Sequence, residues 1–405
     1  MSENLKVYKT EVEQELRSIL DFWKSRSIDI AQGGFVGRLD YLGAVHPEAE
    51  KGCVLNARIL WSFAAAYNHG GDPVCYLLAE RAYHYMQNYF RDWTHGGVYW
   101  SVDAAGAPLN RRKQIYGLAF TIYGLAEYYR INQEQEVLDF AIDLYNLIEK
   151  YSFDRTYGGY LEAFSENWQL LDDLRLSEKD RNDPKTMNTH LHIIEAYVNL
   201  YRVWPDAGLH KQIRHLLDVF EQRIIDPETY HMRLFFDNEW RPQSQAISYG
   251  HDIEAAWLLQ ESAEVLHDEA LTQKWKQVAV KMADAAAEGL NPDGSLHHEY
   301  DPATDHYDTH REWWVTAEGM VGYLNAYQNT GDTRYLDLSL RLWEFAKQYL
   351  IDHERGEWIW GVYGDYRPMP EDKVGFWKCP YHNSRACLEV SRRLKFLISK
   401  NVNAF

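Results

Sequence analysis

GGFVGRLD, residues 33–40, reads as a glycine turn followed by a short, extended, apolar stretch. The same pattern returns as GGVYWSVD at 96–103, GGYLEAFS at 158–165, GSLHHEYD at 294–301 and GEWIWGVY at 356–363. HMRLFFDNEW, 231–240, stands in the fourth place and has lost the glycines. Successive copies start 63, 62, 73, 63 and 62 residues apart, which marks a chain built from six repeated supersecondary units.

Two helical segments separate consecutive turns. The second of each pair, such as 72–90, 133–153 or 332–351, mixes charges with apolar residues at helical spacing and is expected to be half-exposed. The first (54–67, 114–129, 189–201, 251–266, 314–327 and 381–394) is more apolar all round, as an interior helix must be. A further helix near residues 5–25 makes twelve. Six inner and six outer helices describe a closed double ring, an all-α (α/α)6 barrel. An open superhelical solenoid is the alternative, but six copies without a polar capping repeat favour closure. No linker or low-complexity segment interrupts the chain, so residues 1–405 are expected to form a single catalytic barrel domain.

Composition narrows the function classes. Of 405 residues 46% are hydrophobic and 15% aromatic, enough for a large core and for stacking on a ligand. The net charge of −18 excludes a general nucleic-acid binder. The polar start MSENLKVYKTEVEQEL has no apolar signal-peptide region, and no run of 18 apolar residues occurs, so neither secretion nor a membrane span is expected. Four cysteines without a CxxC pair suit a reduced, cytoplasmic protein. A monomer is expected rather than a dimer.

In a closed ring the inner helices run parallel, so their first turns share one mouth. Those turns carry Arg58; Tyr116; Asn188, His190, His192 and Glu195; His251 and Glu254; Trp314 and Glu318; Trp377, Tyr381, His382 and Arg385. A purely structural barrel has no reason to place polar and aromatic groups at the same end six times. Within MNTHLHIIEAY, 187–197, a step of 100° per residue puts Asn188, His192 and Glu195 on one face and turns His190 nearly opposite, into a supporting position. Two histidines one residue apart do not form the i, i+4 metal pair of HExxH, which is absent, so no metal is expected. A single buried histidine is ordinarily a hydrogen-bonded core residue; three at one mouth (His192, His251 and His382) point to proton transfer. Glu254 and Glu318 are placed to orient them.

The motifs KGCVLNARILWSF (51–63), RRKQIYGLAF (111–120), LSEKD (176–180), MNTHLHIIEAY (187–197), ISYGHDIEAAWLL (247–259), HREWWVTAEG (310–319) and FWKCPYHNSRACLE (376–389) resemble the N-acylglucosamine 2-epimerase superfamily, over nearly the whole chain and in order. The resemblance implies an (α/α)6 barrel and a cofactor-independent inversion at C2 of the reducing-end aldose of a β-1,4-linked disaccharide: cellobiose to glucosyl-mannose, lactose to epilactose. It implies His251 and His382 as the acid/base pair, with His382 also assisting ring opening, and Arg58 and His192 as the groups holding O1 and O2. Tyr116, Asn188 and Asp180 would bind hydroxyls, Trp314 and Trp377 would stack on sugar faces, and Glu254 would orient His251 at the substrate.

The residue types fit that chemistry by themselves. Opening the sugar ring puts an aldehyde at C1 and makes the C2 proton removable, and inversion needs proton acceptors and donors on both sides of the planar intermediate. An inverting glycoside hydrolase would need two carboxyl groups about 6.5–9.5 Å apart. Glu254 and Glu318 could be nominated, but three histidines would then have no work. Within the superfamily, an N-acetylglucosamine epimerase and a mannose aldose–ketose isomerase are the nearer alternatives. A non-enzymatic helical scaffold would turn over no sugar.

Overall fold

A computed structural model describes residues 2–402; Met1 and residues 403–405, the ends of the expected 1–405 domain, lie outside the described residues. Twelve helices occur among them. The inner set is α2 (Cys53–Gly70), α4 (Ile115–Asn132), α6 (Met187–Val203), α8 (Tyr249–Glu264), α10 (Trp313–Thr330) and α12 (Tyr381–Val402). The outer set is α1 (Ser2–Arg26), α3 (Pro73–Tyr85), α5 (Gln135–Leu147), α7 (Ala207–Val219), α9 (Glu269–Ala286) and α11 (Thr333–Phe345). Each inner helix packs on the next, and α12 returns to α2, so the ring closes as an all-α (α/α)6 barrel and the solenoid is excluded. The sixth hairpin is made from the two ends of the chain, with α1 against α12. The core lies between the rings: nearly every side chain of α2, α4 and α10 is buried, as their unbroken apolar character requires.

The glycine turns are the clasps of this ring. Four outer helices end in a wide π-turn (Met86–Phe90, Ile148–Ser152, Phe220–Ile224 and Ala346–Leu350), where the amide five residues on closes the last turn. The chain then reverses through a tight loop bridged across its base, as at Phe153–Tyr160 and Ile225–Met232. Gly158 and Gly159 take φ of 74° and 75°, a left-handed backbone that glycine adopts without strain. The glycine-free fourth copy keeps the reversal by placing Tyr230 at φ 63°. The extended stretch after each turn pairs antiparallel with the residues entering the same repeat's inner helix: 51–52 with 101–102, 113–114 with 163–164, 185–186 with 235–236, 247–248 with 299–300, 311–312 with 361–362. Leu39 and Val374 make the sixth bridge.

Buried lysines fasten four of these joints. Lys51, Lys113, Lys185 and Lys373 each donate to the aspartate that opens the turn, Asp29, Asp92, Asp154 and Asp352, at 2.6–2.7 Å. The other oxygen of each aspartate accepts the amides two and three residues further on, an Asx turn. The interval of 73 in the third repeat, against 62 or 63 elsewhere, is absorbed by the loop 165–184, which is longer than its counterparts 103–112 and 237–246. Among the described residues no helix is long and apolar enough to cross a membrane.

Candidate active site

Because each entering strand runs straight into an inner helix, the first turns of α2, α4, α6, α8, α10 and α12 converge at one end of the ring. Arg58 on α2 is 3% exposed. Its Nη2 donates to the Tyr116 hydroxyl of α4 at 2.9 Å, and its guanidinium lies 4.1 Å from the Phe120 ring centre and 4.7 Å from that of Tyr381. His192 on α6 stands against Tyr116 and Phe120, with ring centroids 5.0 and 4.6 Å away. Its Nδ1–H donates to Glu195 at 2.8 Å. On α12, His382 Nδ1–H donates to Glu318 of α10 at 2.7 Å. His251 on α8 bonds through Nδ1 to the Ser248 hydroxyl at 2.7 Å. The Trp314 ring lies 4.8 Å from His251 and 5.8 Å from His382. Trp377 faces Tyr116 and Trp100 at 5.9 and 5.8 Å. Arg58, Tyr116, His192, His251, Trp314 and His382 thus come one from each of the six inner helices, and Trp377 from the segment just before α12.

One expected residue takes another place. Glu254 does not orient His251: the guanidinium of Arg385, reaching from α12, takes its Oε1 at 2.8 Å. It lies one turn further along α8 and is 1% exposed, while Ser248 at the helix start is already beside the imidazole. His190 turns away from the mouth, as its position on the helix requires. Its Nδ1–H donates to Thr186 O and its Nε2 accepts from Tyr160 N–H, tying α6 to the third turn. Asp180 lies in the loop 165–184, where it accepts from the Ser177 amide and hydroxyl. Its charge is felt by Glu162 and by Glu299 across the mouth. Asn188 is half-buried and its Oδ1 meets no protein donor. Glu318 stands where it was expected, holding a histidine.

Below the histidines runs a continuous polar network. Arg385 donates to Glu195 and to the Tyr381 hydroxyl through Nη1, and to Glu254 and Glu318 through Nη2. Tyr381 in turn donates to Glu195. Burial and the charge of Glu318 beside it push the Glu254 carboxyl up. Burial alone would raise Glu318 too, but Arg385 and His382 hold it low. All three histidines are driven toward the neutral form. Burial lowers His192 against the pull of Glu195. It lowers His382 to about 3 against the pull of Glu318. It lowers His251 furthest, aided by the positive charge of His298. Sequence reasoning missed His298, although it sits in the fifth glycine-turn repeat. Burial would lower it, yet Asp308, Glu312 and Glu299 raise it to about 9, and its ring stands 5.5 Å from Trp314. Two groups of side chains come close enough to share a cation, Asp92–His95–Glu166 and Glu254–Glu318–His382. Lys113 and Arg111 already neutralise the first and Arg385 the second, which opposes a metal at either.

The closed ring and its joints define the class of (α/α)6 barrels, and sequence comparison narrows the class. The profile of the N-acylglucosamine 2-epimerase (GlcNAc 2-epimerase) family matches residues 33–386, and the chain belongs to that family. It is 47% identical over 386 residues to the cellobiose 2-epimerase of Bacteroides fragilis, covering 95% of this chain and 98% of that one. It superimposes on the cellobiose 2-epimerase structure from Bacillus thermoamylovorans B4167 with a TM-score of 0.91 at 39% identity, over 97% of this chain and 100% of that one. The structure from Spirochaeta thermophila DSM 6192 gives 0.92 at 39%, over 98% of both.

Proposed function

We propose that the protein is a cellobiose 2-epimerase that interconverts glucose and mannose at the reducing end of β-1,4-linked disaccharides, cellobiose and lactose among them. The observation that carries this reading is that the imidazoles of His251 and His382, from different inner helices, both lie within 6 Å of the Trp314 ring centre, and burial keeps both in the neutral form. Trp314 and Trp377 offer aromatic faces to the two sugars, and Asn188 Oδ1 and Asp180 offer acceptors to their hydroxyls. His382 takes the O1 proton and passes it to O5 as the C1–O5 bond breaks, so the hemiacetal opens to an aldehyde and the imidazole is neutral again. One imidazole then removes the C2 proton. The negative charge of the enediolate spreads over O1 and O2, where Arg58, held by Tyr116, and His192 stabilise it. The positive ends of six inner helices add to that field. The other imidazole, protonated from solvent, returns a proton to the opposite face of C2. Ser248 and Glu318 fix which nitrogen of each ring is free to act.

The test is cellobiose in D2O with EDTA, followed by NMR. Glucosyl-mannose carrying deuterium at C2, lost in His251→Asn and His382→Asn, is the expected result. Free glucose would replace this reading with a hydrolase. Turnover of N-acetylglucosamine or mannose alone would move the protein to another branch of its family.

A further inference from the structure

We propose that Arg385 is a positioning residue which locks the His192–Glu195 and His382–Glu318 pairs into one arrangement and so sets the pH at which both imidazoles are free to accept a proton. The proposal rests on the function given above. Arg385 lies one turn along α12 from Tyr381 and is 1% exposed. It meets no imidazole directly: it acts through the carboxylates that do. One nitrogen of its fork serves Glu195, the partner of His192, and the other serves Glu318, the partner of His382, at 2.7 Å. The plane is fixed by packing over the rings of Tyr381 and Trp257, at 4.1 and 4.8 Å from their centres. Only a planar guanidinium can serve carboxylates from three helices at once; an ammonium on a flexible stem cannot.

Charge makes the arrangement consequential. The groups facing Arg385 are Glu195 from α6, Glu254 from α8, Glu318 from α10 and Tyr381 from α12, with Arg58 of α2 and Tyr123 of α4 further out. Three carboxyl groups, those of Glu195, Glu254 and Glu318, converge where water is excluded, and Arg385 supplies the central positive charge. If the guanidinium and its charge are lost, Glu195 and Glu318 favour the protonated forms of the histidines bonded to them, His192 and His382. Both imidazoles then hold a proton to higher pH, and a protonated imidazole is no base. His251 is the internal contrast, because its Nδ1 partner is the neutral Ser248 hydroxyl.

The variant is Arg385→Met, which removes the fork together with its charge, with folding checked by circular dichroism. With 15N-histidine-labelled, sugar-free protein, the titration midpoints of His192 and His382 should rise by one pH unit or more, and that of His251 by less than half a unit. With cellobiose, the acid limb of the turnover profile should rise in parallel. kcat should fall at least tenfold while KM changes less than threefold. A folded variant whose midpoints and acid limb coincide with those of the unaltered protein overturns the proposal. If the variant does not fold, the unaltered protein decides. A clamped fork gives resolved, slowly exchanging Nη–H signals for Arg385, and a single averaged signal would overturn the proposal. The histidine titrations need no substrate. A shift in them, with no sugar turned over by the unaltered protein, would refute the epimerase reading and leave the positioning role standing.

Discussion

Replacing Glu318 by Gln tests whether His382 carries a proton during turnover. Glu318 Oε1 accepts from His382 Nδ1–H and from Arg385, both at 2.7 Å, and its Oε2 accepts from the Trp257 indole N–H at 3.1 Å. A carboxylate satisfies all three donors, but an amide has one oxygen. The amide oxygen should stay with Arg385 and His382, the stronger pair, which sets its NH2 against the indole N–H. Two losses follow. The buried donor clash costs about 1–3 kcal/mol of stability. The imidazolium formed at His382 keeps an oxygen acceptor but loses the opposite charge beside it, which costs about 1.5–3 kcal/mol and lowers kcat about 10- to 150-fold. Ser248→Ala removes a neutral bond from His251 and should cost about 0.5–1.5 kcal/mol, or about 2- to 12-fold. Initial rates with cellobiose at pH 7.5, alongside thermal melts, measure both. A folded Glu318→Gln protein within twofold of the unaltered rate, or one less impaired than Ser248→Ala, would refute this account of His382.

The buried histidines should contribute less stability as the solution is acidified below pH 6.5. His190 and His382 are lowered to about 3 in the folded state, so between those pH values the unfolded chain binds more protons and is favoured by up to about 1.4 kcal/mol per pH unit for each histidine. Glu162 and Glu15, raised by burial to about 8 and 7, act in the opposite direction, so the histidine effect is read as the stability lost in His190→Gln, which should shrink steadily from pH 7 to 6 to 5; a loss independent of pH would contradict the buried neutral state. Lys113→Met strands Asp92 in a pair with no exposure on either side, and should cost about 3–5 kcal/mol in a denaturant titration. Glu239→Ala, at the exposed pair with Arg241, should cost at most about 1 kcal/mol in the same assay. Gly159→Ala should lower stability by about 2 kcal/mol or more, since φ is 75° and the new Cβ would lie 2.3 Å from the Trp240 ring and 2.8 Å from His190.

The ring was legible because its joints are local. A glycine turn, a short strand and two helices lie within about sixty residues, and the period of the turns counts the hairpins directly. The separation of His190 from His192 was legible for the same reason, since it follows from helix geometry alone. What escaped depends on closure. Glu254 precedes Arg385 by 131 residues, and nothing between them announces that the Arg385 side chain will reach across from α12 to α8. The local rule, three residues along a helix, points Glu254 at His251 instead. Ser248 and His298 were overlooked because each sits in a strand or turn that reads as scaffold. The lysine–aspartate joints had a sequence trace, an aspartate four or five residues before the glycines and a lysine just ahead of the next inner helix, but only the fold shows that the two ends meet.

The pairing of α1 with α12 sets an order of events as the chain emerges during synthesis. Five hairpins can assemble from neighbouring segments while the sixth is still missing a partner. Until α12 is available, the ring is an arc with an open flank, and α1 exposes the face that carries Tyr8, Val12, Ile19 and Trp23, all buried in the finished barrel. Trp23 and Trp358 later donate to Glu357 and Glu15 across this seam. The last inner helix also brings His382, Tyr381 and Arg385. Closing the wall and completing the histidine-lined mouth are therefore one step.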